Sequence, residues 1–586
     1  MKKLFLFLNS AFLIFNFSFA QSPNWFWAKR MGAPLSGDVG NSVVVDAFGN
    51  VYITGGFQGT VDFDPGPGVF NLTPNGAADI FVCKLDSSGN FIWAKAMGGP
   101  SNINYDRGSS ITIDAAGSGE IYATGVFDSI ADFDPGPGIF NLTAVGGLDI
   151  FILKLDTSGN FIWAKAIGGT NLEYTNPGNS IAIDPAGSGD IYAAGYFSDT
   201  VDFDPGPGVF NLIANGTYDI FILKLDSSGN FVWAKKMGGL YDDRATSIFL
   251  DASANIYTTG IFSGTADFDP GVATFNLVST LLNEYDIFIS KLDSVGNFIW
   301  AKQISGTSYK YGYSLALDPA GNVYSTGRFW GTVDLDPGIG VYNLITPVLS
   351  SGVYVSKLDN NGNFLWARQM SGIGPGGGGV GRAIAVDTFG NSYTSGVFSG
   401  TIDFDPNVGI DSLASAGFDD IFITKLDSSG NFIWAKKAGG TGPDALASIY
   451  LDLNSKVHVT GFFAGPSITF GPIVLADADS TNSYGDIFIA KLDKTIITGN
   501  DERNNLTLSL NISPSPFTAQ ATVTFNKEVH NATFSLYNLL GEKAAETTGI
   551  NGESFQFNRG NLPSGVYVFE VREEGNKIYR GKAVAY

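Results

Sequence analysis

Asp79–Lys95 reads DIFVCKLDSSGNFIWAK. The stretch returns as DIFILKLDTSGNFIWAK at Asp149–Lys165, DIFILKLDSSGNFVWAK at Asp219–Lys235, DIFISKLDSVGNFIWAK at Asp286–Lys302 and DIFITKLDSSGNFIWAK at Asp420–Lys436. A drifted copy, VYVSKLDNNGNFLWAR, spans Val353–Arg368. The head alone, DIFIAKLD, stands at Asp486–Asp493, and the tail alone, NWFWAK, at Asn24–Lys29. A repeat that opens on its tail and closes on its head predicts that Asn24–Arg30 pairs antiparallel with Asp486–Asp493 and buries Trp27.

The tryptophans of the tail fall at Trp27, Trp93, Trp163, Trp233, Trp300, Trp366 and Trp434, with spacings of 66, 70, 70, 67, 66 and 68. A second marker keeps the same period, from NVYITGGF at Asn50–Phe57 to KVHVTGFF at Lys456–Phe463. Each unit holds four runs rich in Val, Ile, Phe, Tyr and Trp. In the first they are Ser42–Asp46, Val51–Phe57, Asp79–Asp86 and Phe91–Met97. The turns DAFGN (Asp46–Asn50) and DSSGN (Asp86–Asn90) place Asp early, to accept turn amides, and Gly late, where φ turns positive. The runs do not alternate polar with apolar, so both faces of each sheet are covered. Four antiparallel strands covered on both faces, seven times over, predict a β-propeller. A β-solenoid fits less well, because its rungs are much shorter than this period.

These repeats resemble the β-propeller repeat proteins found among secreted bacterial proteins, over about Asn24–Asp493. The resemblance implies the fold and no particular function. The expected fold class is all-β: a seven-bladed β-propeller of four-stranded blades, the N-terminal strand closing the last, followed by a small C-terminal β-sandwich. The domains expected are a signal peptide over 1–20, the propeller over 24–493, a polar linker over 494–505 and a separate module over 506–586.

Glycine at 75 residues, aromatics at 13% and charged residues at only 15% suit short strands joined by glycine turns. Lys2 and Lys3, an apolar run and the small residues Ser18 and Ala20 make Met1–Ala20 a secretory leader. No later stretch is apolar enough to span a bilayer. Cys83 is the single cysteine, which excludes an internal disulfide. The net charge of −22 lies upstream of Leu506, since 506–586 balances seven basic with seven acidic side chains. That excess disfavours nucleic acid and anionic membranes as partners.

The C-terminal stretch carries NISPSPF at Asn511–Phe517, FSLYNLLGEKAAE at Phe534–Glu546, LPSGVYVFEV at Leu562–Val571 and a lysine near the end. Alternation within ATVTF, FSLYNL and VYVFEV suggests about seven strands. In order and spacing these blocks resemble the C-terminal sorting domain of type IX secretion substrates. Ser515 stands between the prolines where Asn is usual, and Asn538 where Asp is frequent. The resemblance implies export across the outer membrane by the type IX secretion machinery acting on 506–586. The protein is then secreted or held at the outer surface, reached via the periplasm.

In an up-and-down blade the first and third turns share one rim, while the long second loop and the inter-blade loops share the other. The second rim is where function is expected. Its second loop repeats DFDPGPG, with Asp62 and Asp64, Asp132 and Asp134, and Asp202 and Asp204. Paired carboxylates beside a glycine turn could coordinate Ca²⁺; Asx turns capped by Pro-Gly explain the motif without a metal. Tyr105, Asp106, Tyr174, Tyr241, Asp242, Asp243, Tyr309 and Tyr311 lie in the inter-blade loops and break the repeat. They suit a surface for glycans or surface proteins; ordinary loop packing is the plainer account. The repeated Trp reads as packing between blades.

Catalysis finds little support. His458 occupies a repeat position held by Tyr in the other units, His530 lies in the sorting module, and Cys83 sits at a strand-packing position. No Ser-His-Asp set, zinc spacing or phosphate loop is present. The expected function is a non-enzymatic binding or adhesive face without cofactor. The alternatives are a carbohydrate-active enzyme using Asp carboxylates on the loop-rich face and a purely structural surface component.

Overall fold

The computed structural model describes residues 23–34, 36–101, 106–114, 119–169, 178–281, 284–373, 376–478, 485–493, 510–513, 519–538, 543–560, 562–563, 565–573 and 577–585. The leader expected over Met1–Ala20, the linker expected over 494–505, Tyr105 and Tyr174 lie outside these residues. The chain forms two compact units, Met1–Ile496 and Ile497–Tyr586.

The larger unit is all-β among the described residues, built from repeated four-stranded antiparallel sheets of the propeller kind. In the first, Val39–Val45 pairs with Val51–Phe57, then Asp79–Leu85, then Phe91–Met97. The inner strands of the following sheets are Arg107–Ile113, Gly178–Ile183, Arg244–Leu250, Lys310–Leu317, Gly378–Val386 and Asp444–Leu451. The last sheet takes its outer strand from the other end of the chain. Asn24–Met31 pairs antiparallel with Gly485–Asp493, from Asn24 opposite Asp493 to Met31 opposite Ile487, with one register shift between Trp25 and Trp27. Trp27 is buried there at 7% exposure, as the repeat pattern requires.

Third strands such as Asp79–Leu85 are buried on both faces, with Ile80 through Cys83 fully covered. That is why the sequence runs apolar without alternation. The cores lie between successive sheets. Val44, Ile80 and Val82 of the first sheet pack with Ile111, Phe127 and Phe151 of the second. Trp27, Ile487 and Ile489 of the last pack with Val43, Phe57 and Phe81 of the first. In each sheet the repeated tryptophan meets the second-strand aromatic edge-on: Trp93 on Tyr52 at 6.2 Å, and Trp27 on His458 at 6.2 Å. The glycine of the Thr-Gly marker is forced by crowding, since a Cβ on Gly55 would stand 1.8 Å from the Val39 carbonyl.

Neighbouring sheets are stitched at three levels. An inner-strand amide donates to a serine of the preceding sheet: Ile111 to Ser42 at 3.2 Å, Ile181 to Ser110 at 3.4 Å, Ile248 to Ser180 at 3.3 Å. Leu315 donates to Ser247 at 3.4 Å, Ile384 to Ser314 at 3.3 Å, and Val43 of the first sheet to Ser448 of the last at 3.3 Å. Ala383 stands where the remaining serine would be. The DFDPGPG hairpin joins the outer strand of the sheet before it, as Asp202 opposite Gly168; Asp62 bridges Gly32 of the N-terminal segment in the same way. Trp27 and Lys491 of the last sheet both donate to the Ser87 carbonyl in a turn of the first.

The smaller unit has five strands among the described residues, rather than the seven or so expected. Two of them are long. Gln520–Tyr537 pairs along its length with Lys543–Asn558, and three register shifts divide the run between Thr524 and Phe534. Its first part pairs with Leu510–Ser513 and its second with Gly565–Glu573. Each long strand thus serves two segments of sheet, which lowers the count. Phe534, Leu536, Phe557, Phe569 and Val571 form the core.

Candidate functional site

Every inner strand of the propeller carries a β-bulge, where one extra residue is left unpaired and its side chain is re-aimed. The register skips between Gly40 and Ser42, Gly108 and Ser110, Gly178 and Ser180, Ala245 and Ser247, Gly312 and Ser314, Gly381 and Ala383, and Leu446 and Ser448. Glycine precedes five of these bulges, Ala245 and Leu446 the other two; where glycine stands the neighbour can demand it, since a Cβ on Gly108 would meet Thr54 Oγ1 at 2.1 Å. The bulged residues are Asn41, Ser109, Asn179, Thr246, Tyr313, Arg382 and Ala447. The flanking residues repeat; these do not.

Six of the seven open into one cavity of about 570 Å³, at the end of the inner strands where the inter-sheet loops arrive. Two more variable positions line it. One lies two residues before the bulge and brings Val39, Arg107, Arg244, Tyr311 and Ala445; the other precedes the phenylalanine of the second-strand marker and brings Tyr196, Ile261 and Phe462. Each of the four-stranded sheets described above contributes to this cavity.

One side of the mouth is an aromatic belt. Tyr196 meets Tyr218 at 5.2 Å, Tyr285 meets Tyr311 at 5.7 Å, Tyr311 stacks on Tyr313 at 5.9 Å, and Trp330 lies 6.5 Å from both Tyr309 and Tyr311. Arginines are layered onto it. Arg244 lies over Tyr196 and Tyr218 at 5.0 and 4.9 Å, Arg328 over Trp330 at 4.0 Å, and Arg382 over Tyr313 at 4.9 Å. Arg244 is paired with Asp242 through two bonds of 2.6 and 2.7 Å, and the Tyr285 hydroxyl donates to the same carboxylate at 2.7 Å. Burial pulls Arg107 and Arg328 below the usual guanidinium range, against the opposing pull of nearby tyrosines.

The residues singled out from sequence divide. Tyr311 lines the mouth, Tyr309 is half exposed on its rim, and Asp242 holds Arg244 in place. The Tyr241 ring packs against Gly264, away from the cavity. Asp106 and Asp243 are buried and structural. Asp106 accepts from the Gly99 and Asp128 amides at 3.0 and 2.8 Å, and Asp243 from those of Gly239 and Ser263 at 2.6 and 3.1 Å. Burial pushes each of them up to about 7, with the nearby Asp79 and Asp219 adding to the rise.

The DFDPGPG carboxylates cap their own turns. Asp62 accepts from the Asp64 and Phe70 amides at 3.0 and 2.8 Å, and Asp64 from Gly66 at 2.8 Å. Asp132 with Asp134, and Asp202 with Asp204, repeat the pattern. Among the described residues no group of three or more His, Cys, Asp or Glu side chains is arranged to hold a metal ion. Arg107, Tyr196, Tyr313, Arg328 and Arg382 escaped the sequence reading, which searched the loops. For Tyr196 and Arg328 the signal lay inside the marker itself, whose next-to-last position reads Gly56, Val126, Tyr196, Ile261, Arg328, Val397 and Phe462 from unit to unit.

Comparison with known proteins fits this architecture. The Beta-propeller repeat model matches residues 27–55 and 299–331, and the Secretion system C-terminal sorting domain model matches residues 511–584. The chain carries β-propeller repeats and a type IX C-terminal sorting domain, and is a β-propeller protein exported to the cell surface or the medium. It is 24% identical over 519 residues to the Uncharacterized WD repeat-containing protein L264 of Acanthamoeba polyphaga mimivirus, covering 76% of this chain and 36% of that one. It is 24% identical over 201 residues to the Regulatory protein FlaEY of Caulobacter vibrioides, covering 34% of this chain and 20% of that one. The chain thus spans well under half the length of either relative. Among solved structures it is similar to Sqt1 from Chaetomium thermophilum, with a TM-score of 0.33 and 9% identity over 80% of this chain and 98% of that one. No helix among the described residues is long and apolar enough to cross a membrane.

Proposed function

We propose that the propeller is a closed ring of seven blades, routed through the periplasm and presented outside the cell as a non-enzymatic binding module, with the arginine- and tyrosine-lined mouth as its ligand site. The observation that carries this is the bulge. A backbone feature present in every inner strand recurs at the cavity, where six of the bulged residues stand and the repeat is abandoned. Rigid, repeated scaffolds commonly place recognition where the repeat is broken. Ring closure is supported by Asn24–Met31 in the last sheet and by the Val43–Ser448 bond. The binding reading is favoured over catalysis because the carboxylates near the mouth are committed elsewhere: Asp106 and Asp243 to backbone amides, Asp242 to Arg244 and Tyr285. Glycans and surface proteins remain the partner classes.

The test is a glycan and peptide array probed with the full chain and with Tyr311→Ala/Tyr313→Ala. A ligand lost in the double variant while the melting temperature holds supports the mouth. Binding that survives it places the ligand elsewhere.

A further inference from the structure

Six arginines lie within residues 24–493 of a chain whose net charge is −22. Arg30 pairs with Asp486 at 2.8 Å, Arg244 pairs with Asp242, and Arg368 donates to the Gly430 and Ser429 carbonyls at 2.8 and 3.1 Å. The other three, Arg107, Arg328 and Arg382, make no ion pair among the described residues. Arg328 Nε is buried with no acceptor among the described residues. The three outside any ion pair are the three that join Arg244 at or beside the mouth, where Asp419 acts on Arg328 only from a distance. Arg107 and Arg328 are half-buried, and holding a guanidinium there without a carboxylate partner is costly. In an acidic protein, carboxylates to pair with it were plentiful.

We infer that the mouth binds the acidic end of a glycan chain, one bearing carboxylate or sulfate groups, with Arg107 and Arg382 reaching the anion and Tyr311 and Tyr313 facing the sugar rings. The inference rests on the binding reading above. Guanidinium forks match planar or tetrahedral oxyanions and retain their charge at all working pH values. The tyrosine and tryptophan faces offer flat apolar surface with polar tips, which suits the C–H face and hydroxyl rim of a pyranose. The cavity is of ordinary ligand-site size at about 570 Å³ and open to solvent, which admits the end of a chain. An acidic peptide is less well served. The inner-strand amides of Val43, Ile111, Ile181, Ile248, Leu315 and Ile384 are already engaged by serines, which narrows the edge offered for strand addition in those six strands.

The experiment is calorimetric titration of the full chain with four probes: a uronate-bearing oligosaccharide, a sulfated one, a neutral one of equal length, and poly-glutamate. The expected result is binding of an acidic oligosaccharide in preference to the neutral one, weakening as salt rises. The better of the uronate and sulfate arms names the anion. Arg382→Gln, at an exposed position, and Arg107→Gln should each weaken binding by about tenfold or more, while Arg368→Gln leaves it unchanged. Equal affinity for acidic and neutral sugars overturns the anion assignment but leaves the binding face standing. Poly-glutamate binding more tightly than either sugar overturns the glycan class. No binding to any probe by protein that melts normally overturns the acidic-glycan inference, while the glycan and peptide array decides the binding reading separately.

Discussion

The two ends of the inner strands differ in a way their shared backbone does not require. At one end lies the mouth, with Asn41, Ser109, Thr246, Tyr313, Arg382 and Ala447 at a single repeat position. At the other lies a smaller cavity of about 400 Å³, lined by Thr112–Asp114, Ile181–Pro185, Ile248–Leu250 and Tyr450. There the repeat holds in all units: an aliphatic residue, then Asp46, Asp114, Asp184, Asp251, Asp318, Asp387 and Asp452 in turn. These aspartates cap the first turn. Asp251, for example, accepts from the Ser253 and Asn255 amides at 2.9 Å each. The far end is uniform because each unit must make the same turn. The mouth is varied because a bulged residue pointing into a cavity has no such duty. On the proposed reading stability and recognition are separated along one strand, and the following predictions test that separation in order of effect.

Removing Asn24–Met31 should have the largest effect, because it strips the outer strand from the last sheet and its contacts with the first. Trp27→Ala alone should cost about 3–5 kcal/mol, the scale of a buried aromatic truncation. A denaturant midpoint shift matching that loss is expected; an unchanged midpoint would break the account of closure.

The next effect concerns Lys310, whose ammonium is 2.6 Å from Asp286 with both side chains 1% exposed. At the corresponding position other units have Asp38, Asp106, Asp243 or Asp444. Lys310→Met leaves the Asp286 charge buried without its cation and should cost about 3–5 kcal/mol. Equilibrium unfolding checks the value, and a loss below about 1 kcal/mol, the range of a surface pair, would contradict it.

Smaller, and spread over several junctions, is a dependence on pH. Burial pushes Asp38, Asp106 and Asp243 up to about 7, Asp444 to about 8 and Asp79 to about 6. Their folded-state values lie above that of an unfolded aspartate, about 3.9. They therefore contribute stability that is complete below pH ~4 and lost as pH rises through about 6 to 8. The melting temperature should fall by several degrees between pH 5 and pH 9 at constant ionic strength; a rise over that window would refute the assignment.

The smallest effect is expected from metal removal. Asp62 and Asp64 are engaged by turn amides, so chelator should leave the melting temperature where it was. A drop that Asp62→Asn/Asp64→Asn abolishes would restore a Ca²⁺ role.

Much of the fold was legible because it is written in repetition. The period of the tryptophans set the units, and the split copy of the repeat set the pairing of Asn24–Met31 with Gly485–Asp493. The site was only half legible. Tyr309, Tyr311 and Asp242 stood out as loop residues that break the pattern. Arg107, Arg328 and Arg382 were hidden because two are embedded in strands and the third directly follows the inter-unit loop. Which strand position faces the cavity depends on a bulge, a backbone irregularity that hydrophobic alternation does not encode. Asp106 and Asp243 misled for the converse reason. Polar residues in a loop suggest exposure, yet these two are buried as hydrogen-bond acceptors for the backbone. In the C-terminal unit, alternation located strands such as Gly565–Glu573 but could not tell one long bent strand from two short ones.

The most direct test sets the two ends against each other in one titration. Binding of an acidic oligosaccharide is measured for Arg382→Gln at the mouth and for Phe249→Ser at the far end, with a melting curve for each. The account predicts a loss of about tenfold or more for Arg382→Gln and parental affinity for Phe249→Ser. Equal losses at both ends, or a loss confined to Phe249→Ser, would contradict it.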